Sequence, residues 1–269
     1  MTRLRRLVTL NAVRIIARGR MAEIVALDGE EGRVVKLDRP EWSGVSSFES
    51  DVIERVAATG IPVAQSHGTI TLEGRCGVVL DHIEGPSLED ILIRQPETLD
   101  QDGLARKFVV QQGDINAVSI DGLPDLTSRL GDEITRSGLT VDVVDRLSRR
   151  LDKLDDGKRH LCHFDFHPGN VLVSPTGWVV VDWLGAASGP PAADFARSLL
   201  LLGYHIPLAN REFVQAVRRH GMQQTSLDDG TVDEWVRVLA AARIAEGYDG
   251  DYWEWLISVA EGSTLLRAV

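Results

Sequence analysis

Lysine is almost missing from this chain. Among 29 basic residues the only lysines are Lys36, Lys107, Lys153 and Lys158, and the rest are arginine. A lysine inside an apolar segment is therefore a singular event and asks for a reason. Cysteine is nearly absent too. Cys76 and Cys162 both lie in apolar surroundings; two are too few for a disulfide scaffold, and they read as buried thiols in a reducing cytoplasm. Long apolar runs are lacking. The opening MTRLRRLVTLNAVRIIARG is broken by arginines and reads as neither signal peptide nor membrane span. Positive charge is in deficit, 29 basic residues against 40 acidic for a net charge of -11, which argues against a nucleic-acid partner. The acidity leans toward a cationic small substrate, although it also simply keeps a protein soluble. No repeat of 20–50 residues and no low-complexity tract is found.

What remains is an ordinary globular composition, 43% hydrophobic over 269 residues, enough for one large domain or two small lobes. The first third reads as strands: AVRIIARG, then AEIVALDGEEGRVVKLD as two strands around an Asp-Gly turn, and QSHGTITLEGRCGVVLDHI as a hairpin. Between them VSSFESDVIERVAATG reads as a helix closed by Gly60. Past LDHIEGP the spacing becomes helical, with Ser87 and Asp90 as a capping-box pair. Loop and short strands interrupt it from residue 161 to Asp182, and everything from Ala192 onward reads as helix. The expectation is a β-rich part, residues 1–83, and a helix-rich part, residues 84–269, joined by a narrow hinge with a cleft between them, where ligands bind.

Lys36 lies in GRVVKLD. Strand alternation puts Val34, Lys36 and Asp38 on one face and Val35 and Leu37 on the other. On the following helix, Val52, Ile53 and Val56 fall within about 60° of Glu49 and Glu54 about 140° away, at about 100° per residue. Glu49 is thus in the apolar stripe, where a carboxylate needs a cation. Lys36 is the nearest candidate in sequence; a capping box with Ser46 is the alternative, and the two need not exclude each other. A strand lysine in Val-Val-Lys paired with a helix glutamate is how a kinase holds the α- and β-phosphates of ATP.

The stretch LCHFDFHPGNVLV, residues 161–173, admits three readings. His163, Asp165 and His167 at alternate positions could bind zinc or iron, but the remaining histidines, His67, His82, His160, His205 and His220, form no paired motif. The residues could merely brace a turn. Or Asp165 and Asn170, spaced Asp-x-x-x-x-Asn, are a kinase catalytic loop, followed by the hairpin VLVSPTGWVVVDW, whose closing Asp182 suits a metal at a cleft edge. The last reading accounts for Lys36, Glu49, Asp165, Asn170 and Asp182 in chain order.

HFDFHPGNVLV with VVVDW and GPPAADFA, preceded by GRMAEI, VVKL and DHIEGPSL, resembles the aminoglycoside phosphotransferase family with its choline-kinase-like relatives, from about Gly19 to Ala196. The resemblance implies an α+β, two-lobed protein-kinase-like fold with a β-rich N-lobe and a helical C-lobe. It implies that Asp165 is the catalytic base, that Asn170 and Asp182 are Mg2+ ligands, and that Lys36 and Glu49 orient ATP, with GTP left open. Gly19 and Ala22 would lie in the phosphate turn. At the hinge the carbonyl of Asp81 and the N–H of Ile83 would meet the adenine edge, with Leu80 behind the base. His163 and His167 would brace the loop, and Asp194 would steady it from the next helix. Two departures stand out: Phe164 where many members have glycine, and Met21-Ala22 where some offer a hydroxyl, which leaves phosphate contact to backbone N–H groups.

The implied activity is phosphoryl transfer to a hydroxyl of a small molecule, with no nucleic-acid or membrane partner, in the cytoplasm. The acids and tryptophans of EGYDGDYWEWLISVAEG (Glu246, Asp249, Asp251, Trp253, Glu254, Trp255) would suit a cationic antibiotic, or else form an amphipathic helix with a solvated edge. The alternatives are a housekeeping kinase of choline, homoserine or a similar metabolite, and a nucleotide-binding module without transfer activity. A protein kinase fits less well, since no A-P-E-like segment follows Asp182.

Overall fold

Val13–Arg18 (β1), Ala22–Leu27 (β2) and Arg33–Asp38 (β3) are short runs rich in valine and isoleucine, residues that suit a pleated surface. They pair antiparallel in sequence order, with an irregularity in β1 between Ile15 and Ala17. The computed structural model describes residues 13–27, 32–94, 97–207 and 210–263, so the Asp-Gly turn expected between β2 and β3 lies outside the described residues. Helix α1, Val45–Ala57, follows, and Gly60 beyond it has φ +90°. Ser66–Leu72 (β4) and Arg75–Asp81 (β5) form a hairpin around Glu73 and Gly74. Both turn residues have positive φ, +49° and +79°, the twist a two-residue hairpin turn requires. The sheet order is β1-β2-β3-β5-β4, so β3 is central and Lys36 is flanked by Ile24 and Val78. Both faces of β3 are covered, and Val25, Val35, Leu37 and Leu72 form one apolar cluster.

The remainder is helical, as its spacing predicts: Leu88–Arg94 (α2), Gln101–Asn116 (α3), Leu126–Thr135 (α4) and Val141–Leu154 (α5). Short strands follow, His160–Cys162 (β6), Val171–Ser174 (β7), Gly177–Val180 (β8) and Ala187–Gly189 (β9). Pro191–His205 (α6), Arg211–Thr225 (α7), Asp229–Ile244 (α8) and Gly250–Glu261 (α9) complete the order. Aspartates just ahead of α3, α4 and α8 cap them: Asp100, Asp125 and Asp228 accept from the N–H groups of Gly103, Ser128 and Thr231. The fold is the α+β, protein-kinase-like one expected. Among the described residues no helix is long and apolar enough to cross a membrane.

The chain does not divide by a single cut at residue 83. One compact unit is residues 1–87 together with 170–184; the other is 88–169 with 185–269. In the first, the β7–β8 hairpin packs back onto the N-terminal segment. Val180 N–H donates to Pro62 O at 3.0 Å and Val173 N–H to Pro86 O at 2.9 Å. This contact explains Gly85 of the EGPS segment: it has φ +140°, and a Cβ there would stand 2.1 Å from Val173 O, a clash no side chain accommodates. In the second unit, α3 packs on α7, and α8 on α6 and α9. Its core includes the rings of Phe108 and Phe166, tilted 31° to each other with centroids 4.4 Å apart, and Phe213 edge-on to Phe108 at 5.8 Å.

Candidate active site

In the first unit, strand β3 turns Lys36 toward helix α1. The Lys36 Nζ donates to Glu49 Oε1 at 2.7 Å and to Asp182 Oδ1 at 2.8 Å. The helix wheel holds: Glu49 is buried beside Val52, Ile53 and Val56, 1% exposed. The capping-box alternative does not. Ser46 turns away from Glu49 and gives both its hydroxyl and its N–H to Asp38, which also takes the Gly44 N–H at 3.1 Å. Asp38, read only as a strand-face residue, therefore caps α1. Glu49 takes a further hydrogen bond from the backbone of Trp183, the residue after Asp182.

One ammonium thus faces two carboxylates. Burial alone would push the Lys36 pKa down, but the Asp182 and Glu49 carboxylates outweigh it and hold it above the usual lysine value. Burial pushes the Glu49 carboxyl up, and the nearby Asp182 charge adds to this against the pull of Lys36. The excess of negative charge suits a divalent cation, and the side of the cluster open to water is Asp182, whose side chain is 42% exposed.

The hairpin places the two expected metal ligands. Val171 pairs with Val180, and one step further Val181 N–H donates to Asn170 O at 3.0 Å. Asn170 and Asp182 therefore leave the same end of the ribbon. Asp182 lies two residues past the strand, not on it, with φ +64°. Among the described residues, no group of three or more His, Cys, Asp or Glu side chains could hold a metal ion by itself. An amide and a carboxylate are the kind of partial set that Mg2+ accepts when nucleotide phosphates supply further oxygens, so these residues fit the ion.

The other expected nucleotide contacts lie in the same unit. Gly19 N–H donates to Ala22 O at 2.9 Å, closing the turn between β1 and β2. Leu80, 8% exposed, faces Val34 and Ser66 across the sheet. Asp81 ends β5; its carboxylate takes His67 Nε2 at 2.6 Å and Gln65 N–H at 3.2 Å. Ile83, half-buried, follows outside any strand between exposed His82 and Glu84.

Asp165 belongs to the second unit. Its loop is braced twice in the same way. Asp165 N–H donates to His163 Nδ1 at 3.2 Å, and Gly169 N–H to His167 Nδ1 at 3.1 Å. Each imidazole thus accepts at Nδ1, which assigns the proton to Nε2 and leaves neither Nδ1 for a metal. His167 Nε2 lies 3.9 Å from Asp165 Oδ2. Fully buried Asp194, near the start of α6, accepts from Phe164 N–H at 2.7 Å and His163 N–H at 3.4 Å, and is itself held by Asn116 Nδ2 at 2.9 Å. β9, not foreseen in the sequence because Ala-Ser-Gly carries no strand signal, pairs with β6 just ahead of this loop.

The C-terminal acids divide. Glu246 is not offered to a ligand: it pairs with Arg197 at 2.6 Å and Arg243 at 3.0 Å. Asp251 and Glu254 are exposed on α9, as is Trp253, while Trp255 is packed inside against Tyr204 and Tyr252. Of the two readings of this segment, α9 has the form of the amphipathic helix with a solvated acidic edge, while Glu246 and Trp255 serve the interior.

A family model described as the phosphotransferase enzyme family matches residues 12–227. No curated protein matches the chain. Among solved structures, aminoglycoside phosphotransferase APH(4)-Ia is similar with a TM-score of 0.68 at 16% identity, covering 95% of each chain. Amicoumacin kinase hAmiN, in complex with AMP-PNP, Ca2+ and Ami, has a TM-score of 0.64 at 13% identity, covering 94% of this chain and 89% of that one. The GDP complex of aminoglycoside 2'-phosphotransferase-IIIa has a TM-score of 0.63 at 17% identity, covering 95% of this chain and 93% of that one.

Proposed function

The chain belongs to the phosphotransferase enzyme family, and from that premise we propose that it moves the γ-phosphoryl group of ATP, taken up with Mg2+, to a hydroxyl of a small molecule. The observation that carries this reading is the bridge from Lys36 to both Glu49 and Asp182. It joins the residue suited to nucleotide phosphates to the carboxylate suited to the metal, and a merely structural strand lysine needs no such pair of partners.

Lys36, oriented by Glu49, donates to the α- and β-phosphates. Asp182 and Asn170 hold the metal. Held by these two residues, Mg2+ would supply positive charge to offset the negative charge that develops during transfer. Asp165 accepts the proton of the acceptor hydroxyl and aims its oxygen at the γ-phosphorus. Gly19 and Ala22 place the turn whose N–H groups face phosphate. Leu80, Asp81 and Ile83 receive the base. Use of GTP is a property of the same hinge and is decided by assay. An acceptor of the antibiotic type is favoured by the likeness to kinases named for aminoglycosides and amicoumacin, and the chain's charge of -11 favours a cationic one. The cytoplasm, where ATP is found, is the compartment this reading assigns.

The test is an ADP- and GDP-release screen with Mg2+ over aminoglycosides, basic peptide antibiotics, macrolides, choline and amino alcohols. Release confined to choline or homoserine would move the protein to the metabolite kinases; none above background with any acceptor would remove the reading. In the same preparation, Asp182→Ala is expected to abolish the Mg2+-dependent rise in Tm that ATP gives the native protein. An unchanged rise would remove Asp182 as a metal ligand.

A further inference from the structure

We propose that Phe164 is a positioning residue, its ring gripped by the guanidinium groups of Arg129 and Arg197 so that the backbone carrying Asp165 is fixed. The catalytic consequence rests on Asp165 being the base. Phe164 is 3% exposed and has φ +62°, a conformation uncommon for a bulky side chain that persists only where the surroundings over-determine it. Asp194 secures the backbone side through the Phe164 N–H. The ring side is secured by cations. The Cζ of Arg129 lies 4.4 Å and that of Arg197 4.9 Å from the ring centroid, both inside the distance at which the negative face of a ring attracts a cation.

Neither guanidinium is idle. Arg129 donates to Gly185 O at 3.1 Å, and Arg197 donates to Glu246 Oε1 at 2.6 Å. Yet the Nε of each is buried with no hydrogen-bond partner among the described residues. Glu133, 3.7 Å from Arg129 Nε, and Glu246 balance the charges, and the Phe164 ring adds a π face against the Nε groups that lack a hydrogen bond. Gly185 closes the other side of the loop: a Cβ there would stand 3.0 Å from His163 O and 3.7 Å from Asp165 Cβ. Arg129 therefore touches both the ring and the residue that packs beneath the loop. Leucine would fill the space but carries no π face, so neither cation would be drawn to it.

The test compares Phe164→Leu and Phe164→Tyr with the native full-length chain, by amide hydrogen exchange and by kinetics with an acceptor found in the screen. Phe164→Leu is expected to speed exchange at residues 163–165 by about tenfold, leaving α8 unchanged, and to lower kcat about tenfold with the nucleotide KM unaltered. Phe164→Tyr, which keeps a π face, is expected to recover most of both losses. Native exchange rates in Phe164→Leu, acceleration shared equally by α8, equal losses in Phe164→Tyr, or a loss falling on KM would each overturn the proposal. Exchange reads the grip without an acceptor, so a protein that transfers no phosphate still decides it. Full activity in Asp165→Ala would instead fault the assignment of the base.

Discussion

Replacing Asp165 with alanine is expected to lower phosphoryl transfer by about 10²- to 10⁴-fold, the range a positioned general base contributes, while nucleotide binding stays near the native value. The two halves of this expectation have separate structural grounds. Nucleotide and metal contacts are assigned to Lys36, Glu49, Asn170 and Asp182, all in the unit formed by residues 1–87 and 170–184, whereas Asp165 lies in the other unit. The loop is braced through backbone N–H groups to His163, His167 and Asp194, and these bonds remain when the Asp165 side chain is shortened. Truncation at Asp165 therefore removes a reacting group and leaves its frame. Initial rates at saturating acceptor, beside calorimetric titration with Mg·ATP, measure the two halves. Full activity would remove Asp165 as base; lost nucleotide binding would show that the frame had gone with it. Asp165→Asn, which keeps the shape, should behave like the alanine variant.

The second large effect is on stability. Glu246→Gln is expected to destabilise the protein by about 3 kcal/mol, the lower end of the cost of breaking a buried ion pair, because the Glu246 side chain is 27% exposed. Its partners Arg197 and Arg243 are 4% and 5% exposed and would be left with uncompensated charge. The effect depends on pH with a definite sign. Burial alone would raise the Glu246 pKa, but the two guanidinium groups outweigh it and hold it below the ordinary value of 4.5. The unfolded chain then binds this proton more readily than the folded one. The stabilisation is fully present above the ordinary value and is lost as pH falls through the lowered folded one. Melting curves of the native and Glu246→Gln proteins between about pH 3 and 7 should converge at the acid end. A constant gap across that range would remove the ionisation of Glu246 as the source of the stabilisation.

Local pattern carried much of the fold and part of the site. The Lys36–Glu49 pair was readable because helical periodicity put a carboxylate in an apolar stripe, and only a cation satisfies that position. The Glu73-Gly74 hairpin and the helical run after Ser87 were likewise local. What escaped was decided at long range. Nothing near Asp38 announces that it caps a helix starting seven residues later, since the bond depends on how the chain turns between them. Glu246 looked available to a cation because Arg197 is 49 residues away in sequence; its other partner, Arg243, three residues away, was a local pair left unread. The second arm of the Lys36 bridge, to Asp182, spans 146 residues, and no periodicity reaches that far. The left-handed backbone at Phe164 and Asp182 was invisible for another reason: a bulky ring does not favour it, and aspartate, though enriched there among non-glycine residues, adopts it too rarely to be read from a sequence.

The unit that contains the sheet is not contiguous, and this orders its assembly during synthesis. Residues 1–87 emerge from the ribosome first, but the hairpin that pairs with Pro62 and Pro86 is translated only after residues 88–169. Until Asp182 has emerged, Lys36 has one of its two anions and Gly85 has no strand to lie against. The N-terminal sheet must therefore wait, incomplete, while about half of a second folding unit is made. Closing so long a loop is slow and exposes the nascent chain to misassociation. A nascent chain halted before residue 170 should accordingly be cut by protease within its first 87 residues, and one extended beyond residue 184 should resist.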